Sequence, residues 1–262
     1  MIDVDAYLKR IAYAGALEPT LGTLRALHRA HLYSVPFENL DIHLGRPIVL
    51  DEAALHRKVV GERRGGFCYE LNGLFAALLR ALGFEVTMLE AGVRKADGGF
   101  GPPFDHLVLA VRGPGGDAAD GRRWLVDVGF GESFLDPMPF AAGEEQRQDN
   151  GDYRIDAVDD EYVLRRRAVE GGPWDAEHRF RDTPHALGDF AGMCLYHQRS
   201  PDSPFTRGRV CTLATPDGRV TLRDNRLIIT RHGRRSEQPV SGEATFRAAL
   251  RAHFGIDLPA GR

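Results

Sequence analysis

The chain has 262 residues, of which 43% are hydrophobic and 27% charged, which is typical of a globular protein. Its formal net charge is −3 and no long block of one sign occurs, which argues against a nucleic-acid or membrane partner. The three cysteines form no C-x-x-C pair and cannot all be joined within one chain, as expected in a reducing compartment. The N-terminal residues lack an apolar signal core and no apolar run has transmembrane length. We therefore expect a cytoplasmic protein.

The first 83 residues predict four helices. Asp3, Thr20 and Asp51 are suitable N-caps for the first three. A proline interrupts the helical pattern after the second helix, and residues 36–41 are predicted to form a loop. The fourth helix begins at Cys68, carries leucines at three- and four-residue steps, and ends before Gly83.

From residue 84 onwards the pattern changes to strands. The candidates in the middle of the chain are residues 85–89, 106–111, 124–128, 153–158, 161–165 and 178–181. They predict a mostly antiparallel sheet or a small barrel. Residues 184–199 return to a helical pattern. Three short strands (210–214, 219–222 and 227–230) and a helix over 242–254 follow. This order predicts an α+β fold.

Cys68 is the first candidate for chemistry, because it opens the fourth helix directly after Gly65-Gly66. The unpaired N–H groups and the dipole of a helix start favour a thiolate over a thiol, and a thiolate is a good nucleophile. The two glycines are expected to leave room for a substrate. The competing interpretation is a small apolar residue packed under a helix, which is the common role of a free cysteine.

His106 and Asp127 are candidates for the base and the acid that orients it. If residues 106–111 and 124–128 form an antiparallel hairpin that folds about Gly116-Asp117, His106 stands directly opposite Asp127. Opposite residues share a face of the sheet, with β-carbons roughly 5 Å apart, so the two side chains can hydrogen-bond. A slip of one residue would separate them. In the alternative interpretation, Asp127 caps a bulge or a strand end. No spacing typical of a metal site and no nucleotide-binding loop occurs, so no metal is expected.

These residues resemble a known family. Arg64-Gly65-Gly66-Phe67-Cys68-Tyr69-Glu70-Leu71-Asn72 is similar to the active-site motif of the arylamine N-acetyltransferases, in particular the compact bacterial members. Four further segments resemble motifs of that family in the same order: residues 35–41, 105–107, 125–131 and 200–206. The resemblance extends from about residue 7 to about residue 235, nearly the whole chain.

The resemblance implies a cysteine-proteinase-like α+β fold. It consists of a helical bundle over residues 1–84, an antiparallel β-barrel over 85–184 and a small α/β lid over 185–262. It also implies a Cys-His-Asp triad, in which Cys68 is the nucleophile, His106 the base and Asp127 the orienting carboxylate.

The resemblance further implies a reaction. Acetyl-coenzyme A would acetylate Cys68, and the thioester intermediate would pass its acetyl group to an arylamine, arylhydrazine or arylhydroxylamine in a ping-pong sequence that serves xenobiotic metabolism. Four residues match positions that line the acceptor pocket, although each could instead be plain core: Phe37, Val93, Phe130 and Phe205. Thr206 and Arg207 are expected to contact coenzyme A, against the alternative that the arginine is simply solvated.

Three other functions remain open at this point: an amide synthase of polyketide biosynthesis, a transglutaminase- or protease-like cysteine hydrolase, and a binding protein that merely retains the pocket. The sequence leaves the preferred amine, the acyl length and the oligomeric state undetermined. We also expect an ion pair between Arg64 and Glu38, and we expect Cys194 and Cys211 to be buried structural residues.

Overall fold

The protein is described by a computed structural model over residues 2–113 and 122–259. Within these ranges the helices are α1 (Val4–Arg10), α2 (Leu21–Ser34), α3 (Leu40–His43), α4 (Glu52–His56), α5 (Cys68–Ala81), α6 (Ala191–Arg199) and α7 (Gly242–Phe254). The strands are β1 (Phe37–Glu38), β2 (Glu85–Val93), β3 (His106–Arg112), β4 (Trp124–Val126), β5 (Met138–Pro139), β6 (Glu145–Gln148), β7 (Gly151–Val158), β8 (Glu161–Arg167), β9 (Asp175–His185), β10 (Val210–Thr215), β11 (Gly218–Arg223), β12 (Arg226–Arg231) and β13 (Arg234–Pro239). The predicted α+β class is confirmed. None of the helices in the described ranges combines the length and apolar character that a membrane crossing requires.

The three predicted N-caps begin helices α1, α2 and α4. Asp3, Thr20 and Asp51 each accept a hydrogen bond from the backbone N–H three residues further on, at 2.9, 3.2 and 3.0 Å. The sequence pattern predicts that the helix capped by Asp51 runs through Val60, but α4 ends at His56 and the chain continues as a π-helical turn over Arg57–Gly61. The predicted loop over 36–41 contains strand β1 and the start of α3. These elements are too short to show a periodicity, and β1 is held by pairing with the distant strand β10.

Helix α5 forms the centre of the molecule. Every residue from Cys68 to Leu79 is buried, so this helix is enclosed on all sides rather than on one face. It packs against β2 and β3 on one side and against α1 and α4 on another. It ends at the predicted position, where Gly83 adopts a φ of +90°. The nucleophile candidate therefore begins the most enclosed element of the fold.

Eight strands form an antiparallel, nearly closed barrel in the order β5-β4-β3-β2-β9-β8-β7-β6. The two edge strands, β5 and β6, are joined through a side chain. Gln148 of β6 donates to Met138 Sδ of β5 at 3.4 Å and to the carbonyl of Asp136 at 3.0 Å. The short edge strands β5 and β6 were absent from the sequence prediction. These side-chain contacts cover the two strand edges, which an open sheet would expose.

The predicted register between β3 and β4 is wrong by two residues. Leu109 stands opposite Val126, and Ala110 opposite Leu125, so His106 lies beyond the paired segment rather than opposite Asp127. The proposed turn at Gly116-Asp117 lies outside the described residues. An offset of two leaves the alternation of faces unchanged, so both side chains still point to the same side.

The remaining sheet has the order β1-β10-β11-β12-β13, and α7 packs against β10 and β11. Strand β13 was not predicted. Strand β1 comes from the N-terminal region, yet it pairs with β10 in the region expected to be the lid. This pairing brings the Phe37 segment to the same sheet as the C-terminal strands. The division into three domains at 84 and 184 stays a proposal.

Candidate active site

Cys68 lies at the first position of α5 and is 3% exposed. The helix start is fixed by Glu70, whose carboxylate accepts from the backbone N–H of Phe67 at 3.1 Å. Gly65 was expected to leave room for a substrate, but it serves a different purpose. A Cβ at Gly65 would lie 1.9 Å from the carbonyl oxygen of Pro36, so this position allows two backbone segments to touch rather than making room for a substrate.

The Cys68 thiol does not ionise through its helix position alone. Burial raises the pKa of this thiol well above its usual value, and the negative charge of Asp127 raises it further, although a backbone hydrogen bond from Leu107 opposes both. Burial and the neighbouring carboxylate therefore disfavour the thiolate at this site. A thiolate at Cys68 requires a nearby cation, and a protonated histidine is the side chain that can supply one near neutral pH.

His106 and Asp127 form a buried pair, with His106 Nε2 2.7 Å from Asp127 Oδ2. Burial alone would raise the pKa of Asp127, but the charge and hydrogen bond of His106 outweigh it, and the net shift is downward. Asp127 is therefore an anion at neutral pH. The pairing leaves His106 Nδ1 as the ring nitrogen available for proton transfer. Within the described residues no hydrogen bond joins Cys68 to His106, and such bonds often tighten only when substrate binds.

Asn72 holds Asp127 from the same helix that carries Cys68. Its Nδ2 donates to Asp127 Oδ1 at 2.8 Å and to the carbonyl of Leu107 at 2.6 Å, while its Oδ1 accepts from the backbone N–H of Val128 at 2.9 Å. In the sequence, Asn72 stands out only as the last residue of the Arg64–Asn72 motif. Its spacing of four residues from Cys68 places both side chains on one face of a helix, and this spacing is the sequence feature that could have identified Asn72 as a site residue.

Two buried histidines near Asp127 were also missed. His28 is fully buried, and its ring nitrogens lie 2.8 Å from the carbonyl of Leu135 and 3.1 Å from that of Asp127. The ring of His178 lies 5.4 Å from that of His106, and burial lowers the pKa of His178 to about 3. Ligand atoms of His106, Asp127 and His178 lie within 4.8 Å of one another, a group of the kind that can hold a metal ion. The absence of a metal stays a prediction.

A cavity of about 430 Å³ opens beside Cys68 and His106. The four residues expected to line an acceptor pocket all lie on its wall: Phe37, Val93, Phe130 and Phe205. Thr206 and Arg207 are not among its lining residues. The hydroxyl of Thr206 donates to the carbonyls of Ser200 and Ser203, at 2.7 and 3.0 Å. The guanidinium of Arg207 is exposed.

The predicted ion pair between Arg64 and Glu38 is confirmed, with Arg64 Nη2 2.7 Å from Glu38 Oε1. It belongs to a larger buried network. Arg64 also approaches Asp41 at 3.0 Å, and Lys58 bridges Asp41 at 2.9 Å and Glu70 at 2.7 Å. The network joins the segment that contains Phe37 to the start of the cysteine helix. The prediction that Cys194 and Cys211 are buried is likewise confirmed.

Comparison with known proteins gives a consistent result. A model of the N-acetyltransferase family matches residues 20–262. The arylamine N-acetyltransferase of Mycolicibacterium smegmatis is 38% identical over 261 residues, covering 98% of this chain and 93% of the relative. The structure of Mycobacterium marinum arylamine N-acetyltransferase in complex with CoA has a TM-score of 0.88 and 34% identity, covering 97% of this chain and 93% of that one. The Salmonella typhimurium enzyme has a TM-score of 0.90 and 30% identity, covering 100% and 96%. The chain therefore belongs to the arylamine N-acetyltransferase family of acyltransferases.

Proposed function

We propose that this enzyme transfers the acetyl group of acetyl-coenzyme A to the nitrogen of an arylamine, arylhydrazine or arylhydroxylamine through an acetyl-Cys68 intermediate. The observation that carries the proposal is the convergence of Cys68 and the His106–Asp127 pair on one cavity with aromatic walls. The relatives named above are arylamine N-acetyltransferases, so we prefer this activity to the amide synthase or the hydrolase.

In the first half-reaction, His106 takes the Cys68 proton on Nδ1 and becomes an imidazolium, which Asp127 stabilises. The thiolate attacks the thioester carbonyl, the new bond from sulfur to the acetyl carbon forms, and the bond to the coenzyme A sulfur breaks. The imidazolium returns its proton to the departing coenzyme A thiolate. This sequence explains how a thiol whose pKa is raised by burial can react, because the charges appear as a pair.

In the second half-reaction, the amine attacks the acetyl-cysteine. Neutral His106 removes a proton from the nitrogen as the new carbon–nitrogen bond forms, and that proton goes to the Cys68 sulfur when the thioester bond breaks. Each tetrahedral intermediate carries an oxyanion. The backbone N–H of Cys68 is a suitable donor, because the first N–H groups of a helix have no partner within it.

The cavity walls suit an aryl group. The ring centroids of Phe37 and Phe205 are 6.1 Å apart, and the ring of Phe130 is 5.3 Å from that of His106 in an edge-to-face arrangement. Aromatic rings favour such offset and edge-to-face contacts, so the walls can orient an aromatic acceptor beside the base. We propose Phe37, Val93, Phe130 and Phe205 as the acceptor pocket.

For the donor, Thr206 and Arg207 remain the proposed contacts with coenzyme A, although neither lines the cavity. Arg223 is a further candidate, since it is exposed and lines the cavity itself. A guanidinium is well suited to bind the phosphates of coenzyme A. Replacing either arginine by alanine should raise the KM for acetyl-coenzyme A, and an unchanged KM would exclude that arginine from the donor site.

Mass spectrometry of the intact protein tests the mechanism. With acetyl-coenzyme A and no acceptor, the wild-type protein should gain one acetyl group, and an arylamine should remove it. Cys68→Ala should remain unlabelled and inactive. Cys194→Ala and Cys211→Ala are matched controls that should retain labelling, because both cysteines are buried and neither lines the cavity. An acetylated or active Cys68→Ala protein would contradict the proposal.

A further inference from the structure

A second imidazole lies against a carboxylate in the cavity wall. His197, on helix α6, is 3% exposed, and its Nε2 lies 3.2 Å from Asp105 Oδ1. Both residues line the cavity that contains Cys68. Asp105 lies more than ninety residues before His197 in the chain, so no local pattern in the sequence indicates that they are partners.

On one side, His197 reaches the segment that carries Phe205. Its Nδ1 lies 3.1 Å from Ser203 Oγ, and the same hydroxyl oxygen accepts from the backbone N–H of Phe205 at 3.2 Å. With its proton on Nε2, His197 accepts from the serine hydroxyl at Nδ1. The ring of Phe205 also meets the imidazole edge-on, with centroids 5.1 Å apart. Ser203 therefore couples the histidine to one wall of the acceptor pocket.

On the other side, Asp105 connects to Val93, a second residue that lines the cavity. Its Oδ2 accepts from the backbone N–H of Val93 at 3.2 Å, so one carboxylate bridges His197 and Val93. These contacts link the backbone of Phe205 through Ser203, His197 and Asp105 to the backbone of Val93. The His197–Asp105 step lies within ion-pair distance, and Nε2 makes no hydrogen bond among the described residues. A buried polar group costs free energy unless it has polar partners. An apolar side chain would fill the same volume without that cost. The polar side chain at 197 is thus accounted for by the hydrogen bond to Ser203 and by the proximity of Nε2 to the Asp105 carboxylate.

We propose that His197 is a positioning residue for the acceptor: by holding Ser203 and Asp105 it sets the separation of the Phe205 and Val93 walls. This inference rests on the proposed function of the cavity. Within the described residues, His197 has no hydrogen bond to Cys68, His106 or Asp127, so it acts on the pocket and not on the proton-transfer groups. Its loss should weaken binding of an aromatic acceptor while leaving the acetylation of Cys68 intact.

Three substitutions separate the two contacts. His197→Leu removes both. In His197→Gln, the amide nitrogen of the new side chain would lie near the position of Nε2 and could still reach Asp105. In His197→Asn, a polar atom would lie near the position of Nδ1 and could still reach Ser203. We expect His197→Leu to raise the KM for an arylamine about tenfold with kcat changed less than about threefold, the pattern of lost substrate binding. The Gln and Asn variants should each recover part of that loss.

The rate of Cys68 acetylation by acetyl-coenzyme A, measured without acceptor, distinguishes pocket positioning from damage to the triad. It should stay within about threefold of wild type in all three variants. Leu195→Ala, on the exposed side of α6, is the control for the helix and should leave both quantities unchanged. Ser203→Ala cuts only the Phe205 branch and should raise the KM for the arylamine even if His197→Leu fails to fold.

Two results would overturn the inference. The first is an unchanged KM for the arylamine in His197→Leu, or in Ser203→Ala if His197→Leu fails to fold. The second is an equal loss of Cys68 acetylation and of turnover. Failure of the proposed function itself has a different signature, since wild-type protein would then not be acetylated by acetyl-coenzyme A at all.

Discussion

At the scale of single residues, Asp127 shows how narrowly the proposed chemistry is constrained. Its Oδ1 accepts from Asn72 Nδ2 and from the backbone N–H of Gly129, each at 2.8 Å, and its Oδ2 is 2.7 Å from His106 Nε2. Both oxygens are therefore used as acceptors in a buried site. The carboxylate fixes the proton of His106 on Nε2, which leaves Nδ1 free to take the proton of Cys68.

We expect Asp127→Asn to reduce kcat about a thousandfold or more. The asparagine oxygen must remain with Asn72 and Gly129, so its NH₂ group faces His106 Nε2 and favours the wrong tautomer. Turnover and the pH dependence of Cys68 alkylation by iodoacetamide are the measurements. The variant is nearly isosteric, so a thermal unfolding curve close to that of wild type is the control. A kcat within tenfold of wild type would show that the charge and tautomer of this pair matter little.

Helix α5 and the end of strand β4 approach so closely that only glycine fits at their contact. A Cβ at Gly129 would lie 2.8 Å from Cys68 Cα and 2.9 Å from the Cys68 carbonyl oxygen, closer than real Cβ atoms come to backbone. The helix that carries the nucleophile and the strand end that carries Asp127 are thus in direct backbone contact. This contact and the hydrogen bonds from Asn72 to Asp127 and Val128 together set the distance between them.

Gly129→Ala should therefore lower kcat/KM about a hundredfold, because backbone atoms cannot rotate away and a displacement of about 1 Å misaligns the groups. Gly192→Ala is the matched control. Gly192 lies in α6 with nothing within 4 Å of its Cβ position, so activity should be unchanged there. Both variants are to be compared by steady-state kinetics and by thermal unfolding. Equal activity in the two would mean that the contact at Gly129 can relax.

Elements were predictable from the sequence where local chemistry determines them. The caps at Asp3, Thr20 and Asp51 mark their helices correctly, because capping is an interaction over three residues. The β3–β4 register was wrong by two residues, since alternation determines which face a side chain occupies but not how far the strands are offset. His106 and Asp127 meet nonetheless, because the offset is even and the imidazole reaches from beyond the paired segment.

Across the whole molecule, the features missed from the sequence are those that distant segments create together. Strand β1 exists only because β10 pairs with it, and the cavity combines Phe37 with Phe205 from the other end of the chain. The family motifs predicted which residues would line the cavity. The supporting groups Asn72, His178 and His197 gain their partners only on folding. Only Asn72 is marked by a local pattern, its four-residue spacing from Cys68.

The buried charges of the molecule also set how its stability depends on pH. Burial lowers the pKa of three fully buried histidines, His28, His31 and His178. As the pH falls through about 6.5, each of these histidines binds a proton more readily in the unfolded chain than in the folded one, so each reduces the free energy of unfolding. Burial raises the pKa of Glu70 and of Glu177 to about 7, and these two carboxyls act in the opposite direction between about pH 7 and pH 4.5. The change of the unfolding free energy with pH is therefore the sum of opposing contributions. A single substitution is needed to isolate one of them.

His178→Phe provides that test. The pKa of His178 falls from 6.5 to about 3 on folding, and both ring nitrogens lack a hydrogen-bond partner among the described residues, so a phenyl ring can take its place. Between about pH 7.5 and about pH 5.5 the wild-type protein should lose about 1.4 kcal/mol of unfolding free energy that the variant does not lose. Urea unfolding of both proteins at the two pH values measures this difference directly. Because each protein is compared with itself, any effect of the substitution on packing cancels. Identical losses in the two proteins would mean that His178 is protonated in the folded state, in which case Asp127 would carry two cationic neighbours when His106 is charged.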